Sequence, residues 1–192
     1  MSTATEPTVL DKRLVSAILE RVCEDISTVV DRPFQVRQIA VERATTRAAG
    51  AAQVHVSFRL EVNQNGSPRF GALLLPLPEA ISLACYLMMV PDDGVAQHRK
   101  QKDLDRSMKD AMLEIGNFIG GAAEAALRGL LADTQVKVRS KGCQGVRADV
   151  RPAFPYTEGD PLLVARAKAQ VAEFKEFDLL LLLPPIDAPA EA

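Results

Sequence analysis

Residues 105–131, DRSMKDAMLEIGNFIGGAAEAALRGLL, form the stretch that constrains this chain most. With 100° between successive residues, Met108, Met112, Ile115, Ile119, Ala122, Ala126 and Leu130 fall on one side. Asp110, Glu114, Asn117, Gly121, Glu124 and Arg128 fall on the other. The spacing predicts one long helix whose apolar stripe the rest of the chain must cover. The centre of that helix breaks local rules. Gly116, Asn117, Gly120 and Gly121 crowd it, although glycine costs about 1 kcal/mol relative to alanine in a helix. Rule-breaking of this kind marks function or close packing.

The covering surface is legible elsewhere. In Gln53 to Val62, Val54, Val56, Phe58, Leu60 and Val62 alternate with His55, Ser57, Arg59 and Glu61. Strict period two predicts a strand with one buried and one wet face, His55 on the wet one. Asn63-Gln-Asn-Gly66 reads as a turn and Arg69 to Leu75 as the return strand. Leu10 to Val30 repeats apolar residues at helical spacing until Pro33 forces an end. A short strand at 34–41 and a link of small residues at 43–52 follow. Pro78 opens a short apolar helix over 79–90. Pro91-Asp-Asp-Gly94 ends it, and the basic run HRKQK in 95–103 reads as a solvated loop.

After the long helix, short strands are expected at 134–139 and 146–150, then a Pro/Gly-rich loop at 151–160. A second hairpin is expected from 162–174 and 177–183, with a helix at 163–175 as the competing reading. The order is helix, strands, short helix, then helix, strands: two α-then-β halves near 10–90 and 104–183. Hairpin-linked strands favour a mostly antiparallel sheet packed by helices, an α+β fold. One domain spans 9–184, between a disordered leader at 1–8 and a frayed tail at 185–192.

Composition excludes several functions. Basic and acidic residues nearly balance, 23 against 25, so there is no electrostatic footprint for nucleic acid. No apolar run, Leu179 to Leu183 included, approaches the length needed to span a bilayer, which with the polar N-terminus suggests a soluble, cytoplasmic protein. Cys23, Cys85 and Cys143 are odd in number and scattered, as reduced thiols are. His55 and His98 lack metal-ligand spacing, which argues against a zinc site or a histidine-based triad.

The chemistry-bearing candidates are Glu114 and Asn117, three apart and therefore side by side on the helix, with Asp110 one turn earlier. Asparagine does not titrate, so Asn117 is no general base. Its amide offers two donors and a carbonyl acceptor and can hold a water in place. Such a pair suits a reaction limited by the positioning of water, of which phosphoryl hydrolysis is one. No Gly-rich phosphate loop is present, so a partner would bring the phosphoryl group, and glycines 116, 120 and 121 would admit its surface. The spacing alone leaves open whether Glu114 and Asn117 act on a substrate or merely mark a tight helix crossing.

DAMLEIGNFIGG resembles the active helix of the CheC/CheX/FliY phosphatases of bacterial chemotaxis. Their signature is Asp or Ser, three residues, Glu, two residues, Asn; here Asp110, Glu114 and Asn117. The glycine four residues further on in the CheX branch is matched by Gly121. FGALLLPLPEAISLACYLMM resembles the family's strand-then-helix segment before the active helix. There is one full copy of the motif, as in CheX. Where CheC-type motifs end in proline, this chain has Ala125. In the first helix Ser16, Glu20 and Cys23 keep the spacing, with Cys in place of Asn, as a degenerate second copy or by coincidence.

The resemblance implies a CheC-like fold and a specific reaction, hydrolysis of the phospho-aspartate of a response-regulator receiver domain in two-component signalling. Asn117 would orient the attacking water and Glu114 would pair with the receiver's lysine. Asp110, Gly120 and Gly121 would line the partner contact. The Mg²⁺ would be the receiver's, with no cofactor of this chain's own, and a homodimer joined through sheet edges is expected.

Overall fold

Two tight hairpins dictate the sheet. The computed structural model describes residues 6–131 and 135–187. In chain order it contains α1 (Val9–Val30), β1 (Phe34–Ala44), β2 (His55–Gln64), β3 (Ser67–Pro76), α2 (Leu77–Leu87), α3 (Asp92–His98), α4 (Arg106–Leu130), β4 (Val136–Val146), β5 (Leu162–Val171) and β6 (Phe177–Leu183). Asn65 and Gly66, at φ 51° and 85°, close the β2–β3 hairpin; Asn-Gly is the pair such a two-residue turn favours. β5 returns as β6, so Leu162–Val171 is strand and not the competing helix, and 172–174 belongs to the turn.

All six strands lie antiparallel in the order β1-β5-β6-β3-β2-β4. That order reads the same backwards when β1, β2 and β3 exchange with β4, β5 and β6. The two expected halves are therefore related by a pseudo-twofold. They are also interleaved, because the first strand of each half pairs with the second strand of the other.

α1 and α4 pack side by side on one face of the sheet. Leu14, Ile18, Met112, Ile115 and Ile119 meet Phe58, Leu60, Leu73 and Leu181 in the main core. Thr8 caps α1 through a capping box with Asp11, whose carboxylate also takes Arg43 of β1 at 2.7 Å. Asp105 caps α4 by accepting from the Met108 amide. When the two N-caps are aligned in sequence, all nine buried residues of α1 fall on buried residues of α4. Leu14 falls on Ala111, Ile18 on Ile115, Cys23 on Gly120 and Val30 on Leu127.

The other face of the sheet is not wet. Ala72, Leu74, Leu162, Val164, Leu180 and Leu182 form a second core there with Phe154. The Pro/Gly-rich segment at 151–160 lies over them. Arg47 pins it, donating to the Pro152 carbonyl and to Glu158 and lying over the Phe154 and Tyr156 rings. His55 is buried instead of exposed, under the link that precedes β2, with Nδ1 2.8 Å from the Gln53 carbonyl. Gly50 lies on its ring, so close that a Cβ there would come within 2.6 Å. Alternation placed Val56, Phe58, Leu60 and Val62 correctly on the helix-facing side; Val54 precedes the strand and is exposed, and the opposite face, expected to be wet, buries His55 and Ser57.

Other expectations change for local reasons. The strand at 34–41 continues to Ala44 past a kink at Gln38, φ 53°. The segments at 134–139 and 146–150 are replaced by one strand, β4, ending at Val146; a bulge at Lys141 and Gly142 breaks its alternation. Thr134 lies outside the described residues. Asp92 to His98 is helical, and Arg99 is no solvated loop residue. Its guanidinium grips Glu79 at 2.6 and 2.7 Å and lies 3.9 Å from the Phe174 ring centre. The start of the supposed tail is packed: Ile186 is buried, and the Asp187 backbone exchanges two hydrogen bonds with Gln64. Residues 188–192 lie outside the described residues.

Candidate functional site

The polar stripe of α4 divides into two parts. Its C-terminal half is occupied. Glu124 accepts from the Val138 amide at 2.9 Å and pairs with Arg128, which donates to the Val136 carbonyl. Together they close the start of the outer edge of β4. In the N-terminal half Asp110, Glu114, Asn117 and Gly121 are all exposed. Neither carboxylate nor the Asn117 amide makes a side-chain hydrogen bond or ion pair among the described residues. Arg106 stands one turn before Asp110 without pairing to it.

The glycines separate along the same lines. A Cβ at Gly121 would meet nothing within 4 Å, so the surface there is open. Gly116 and Gly120 are buried and face the protein's own sheet. A Cβ at Gly116 would lie 2.8 Å from Ser140 Oγ, and one at Gly120 would lie 3.0 Å from the Ser140 amide nitrogen. Gly120, expected to line a partner contact, instead brings α4 close to β4. The poor helix formers thus have two explanations: Gly116 and Gly120 serve packing, while Asn117 and Gly121 sit on the free face.

The apolar stripe is as expected through Ala122, after which the 3.6-residue period moves it. Leu127 is buried, and Ala126 and Leu130 are only half-buried. Sequence reasoning also passed over Leu113 and Phe118, which the structure leaves 48% and 36% exposed beside Glu114 and Asn117. Their signal was in the helical wheel: two large hydrophobic side chains lie outside the apolar stripe.

α1 carries no second site. In the register set by burial, Arg13, Ala17 and Glu20 occupy the places of Asp110, Glu114 and Asn117. The Ser16, Glu20 and Cys23 spacing is three residues out of that register. Cys23 points into the core, where burial pushes its thiol up to about 12.

Chemically, the free stripe offers two carboxylates for a cation and one amide for water or a polar ligand, all fixed on a capped 25-residue helix. Among the described residues, no three His, Cys, Asp or Glu side chains come together as a group able to hold a metal ion.

No protein-family model matches the sequence, and no curated protein matches it. Solved structures do match. FliY of Thermotoga maritima gives a TM-score of 0.63 at 14% identity, over 89% of this chain and 86% of that one. CheX of Desulfovibrio desulfuricans gives 0.55 at 16% identity, over 88% and 98%. The FliM middle domain of H. pylori gives 0.62 at 6% identity, over 93% and 94%. The fold is thus the α+β architecture that these chemotaxis and flagellar proteins share.

Proposed function

We propose that this chain, built on the fold of CheX, FliY and FliM and bearing a free Asp110, Glu114 and Asn117 stripe, is a protein phosphatase acting on the phospho-aspartate of a response-regulator receiver domain. The observation that carries the reading is the unpartnered state of Glu114 and Asn117 on the exposed face of a rigid helix. An asparagine and a glutamate that served internal packing would be bonded, as Glu124 is.

In this reading the receiver brings the acyl phosphate, its Mg²⁺ and a lysine. Glu114 pairs with the lysine and fixes the register of docking. The Asn117 amide oxygen accepts a hydrogen bond from the attacking water and aligns it with phosphorus. The water oxygen forms the new P–O bond as the bond to the aspartate oxygen breaks, releasing inorganic phosphate and a free carboxylate. The setting is cytoplasmic two-component signalling, chemotaxis being the instance the fold favours. No helix among the described residues is long and apolar enough to cross a membrane. The protein pairs with a second copy through a sheet edge, β1 or β4. The decisive experiment is a time course of phosphate release from the receivers of the source organism, with and without this protein. Unchanged phosphate lifetimes on every receiver would overturn the reading.

A second reading has a specific observation behind it. FliM of H. pylori has this fold and is also known in complexes with FliG and with SpeE. A non-catalytic module that binds a receiver or a flagellar-switch component would hold a phosphorylated receiver tightly and leave its phosphate lifetime unchanged.

A further inference from the structure

α4 has an internal control. α1 is the same element in the pseudo-related half, with the same cap position and the same burial register. The outer faces of the two helices differ in a patterned way. Where α1 has Ser16 and Arg21, α4 has Leu113 and Phe118. Where α1 has Glu24, α4 has Gly121. The face of α1 carries no large apolar side chain: Ser16 and Ala17 are half-buried, and Arg21 is exposed and tied to Asp25 at 2.8 Å. The face of α4 replaces a cation and a hydroxyl with two large hydrophobic side chains, 36% and 48% exposed.

Their placement is specific. At 100° per residue, Leu113 and Phe118 stand about 140° apart, with Asp110, Asn117, Gly121 and Glu114 between them. Leu113 lies one turn before Asn117 and Phe118 one turn after Glu114, so each polar side chain has an apolar neighbour at helical i, i+4 spacing. Apolar groups that flank a polar centre exclude water from it when covered, which strengthens the charged contacts made there.

Charge decides what covers this face. Asp110 and Glu114 have no ion pair among the described residues, so the occupant must present a cation to the middle of the stripe. A second copy meeting this face about a twofold axis between Asp110 and Glu114, the centre of the apolar-flanked patch, would set Asp110 of one copy against Glu114 of the other, which costs several kcal/mol. We infer that Leu113 and Phe118 are docking residues that seat a receiver domain on α4, their apolar contacts supplying the affinity while Glu114 and Asn117 meet the receiver's charged centre. The inference rests on the proposed function for its choice of partner.

The test replaces each residue with its α1 counterpart, Leu113→Ser and Phe118→Arg; α1 carries Ser16 half-buried and Arg21 exposed at these positions. Dephosphorylation kinetics are measured on the cognate phosphorylated receiver, and binding is measured on that receiver loaded with beryllofluoride. The expected result is a KM and a dissociation constant raised about tenfold by each substitution, with kcat at saturation within twofold of the parent and an unchanged melting temperature. Dissociation constants within twofold of the parent would overturn the inference, as would a loss of kcat at constant KM. If the parent protein binds the loaded receiver in a Leu113- and Phe118-dependent way but leaves the phosphate lifetime unchanged, the docking surface stands and the phosphatase reading falls.

Discussion

Gly120 rests against the backbone of Ser140: a single carbon added to the glycine would stand 3.0 Å from the Ser140 amide nitrogen. This contact sets how closely α4 lies on β4, and with it the height at which Asn117 is presented. Its neighbour Gly121 faces open space, so the two glycines are expected to respond oppositely. Gly121→Ala gains helix propensity and should stabilise the protein by about 0.5–1 kcal/mol. Gly120→Val must push α4 off the strand and should destabilise it by about 1–3 kcal/mol. Denaturant unfolding of the two variants checks this; equal responses would mean that the helix does not depend on that contact.

Asn117→Ala should abolish stimulated loss of receiver phosphate while changing stability by no more than about 0.5 kcal/mol, since the side chain is exposed and unbonded. Glu114→Gln keeps the shape and removes the charge, so its defect should lie in receiver binding and weaken with added salt. Phosphate-release kinetics at two ionic strengths separate the roles. A fully active Asn117→Ala variant would remove the water-positioning role.

His55 gives a pH signature of the covered face. Burial holds its imidazole below the ordinary value, against the opposing pull of the Gln53 carbonyl and of Asp149 and Asp178. A histidine held neutral in the fold must charge as acid is added. Its contribution is therefore present above about pH 6.5 and is lost as pH falls through the lower folded value. Chemical denaturation of the parent protein should show stability declining below about pH 6.5, and His55→Leu should flatten that decline. A decline of the same steepness in the variant would place its origin elsewhere.

These predictions divide along what the sequence made legible. Periodicity located α1 and α4 by their single apolar stripes, and the β2–β3 hairpin by the alternation of Val56, Phe58, Leu60 and Val62 and the Asn-Gly turn that follows. The free half of the polar stripe was legible for the same reason: Asp110, Glu114 and Asn117 share a face whose partner is solvent. What escaped depends on contacts between residues far apart in the chain. Nothing in the alternation around His55 signals that Gly50 packs onto its ring, and nothing near Arg99 announces Glu79 and Phe174 as its partners. The bulge at Gly142 hides one strand as two, since a single extra residue inverts the alternation. The roles of Gly116 and Gly120 required knowing which strand lies beneath them.

The correspondence between α1 and α4 allows the strongest test of the role proposed for this face. In an Asn117→Ala background, Ala17→Glu with Glu20→Asn places the two motif side chains on α1, in the register that burial defines. If Glu114 and Asn117 were sufficient, this pair would restore activity. The apolar flank argues otherwise, because Ser16 and Arg21 still stand where Leu113 and Phe118 stand on α4. The expected outcome is no rescue from the pair alone and measurable rescue once Ser16→Leu and Arg21→Phe are added. Removing Arg21 sacrifices only an exposed ion pair with Asp25, worth roughly 0.3–0.5 kcal/mol. Phosphate release from the cognate receiver is the readout, with circular dichroism to show that α1 remains helical. Equal rescue by both constellations would mean that the polar pair carries recognition as well as catalysis.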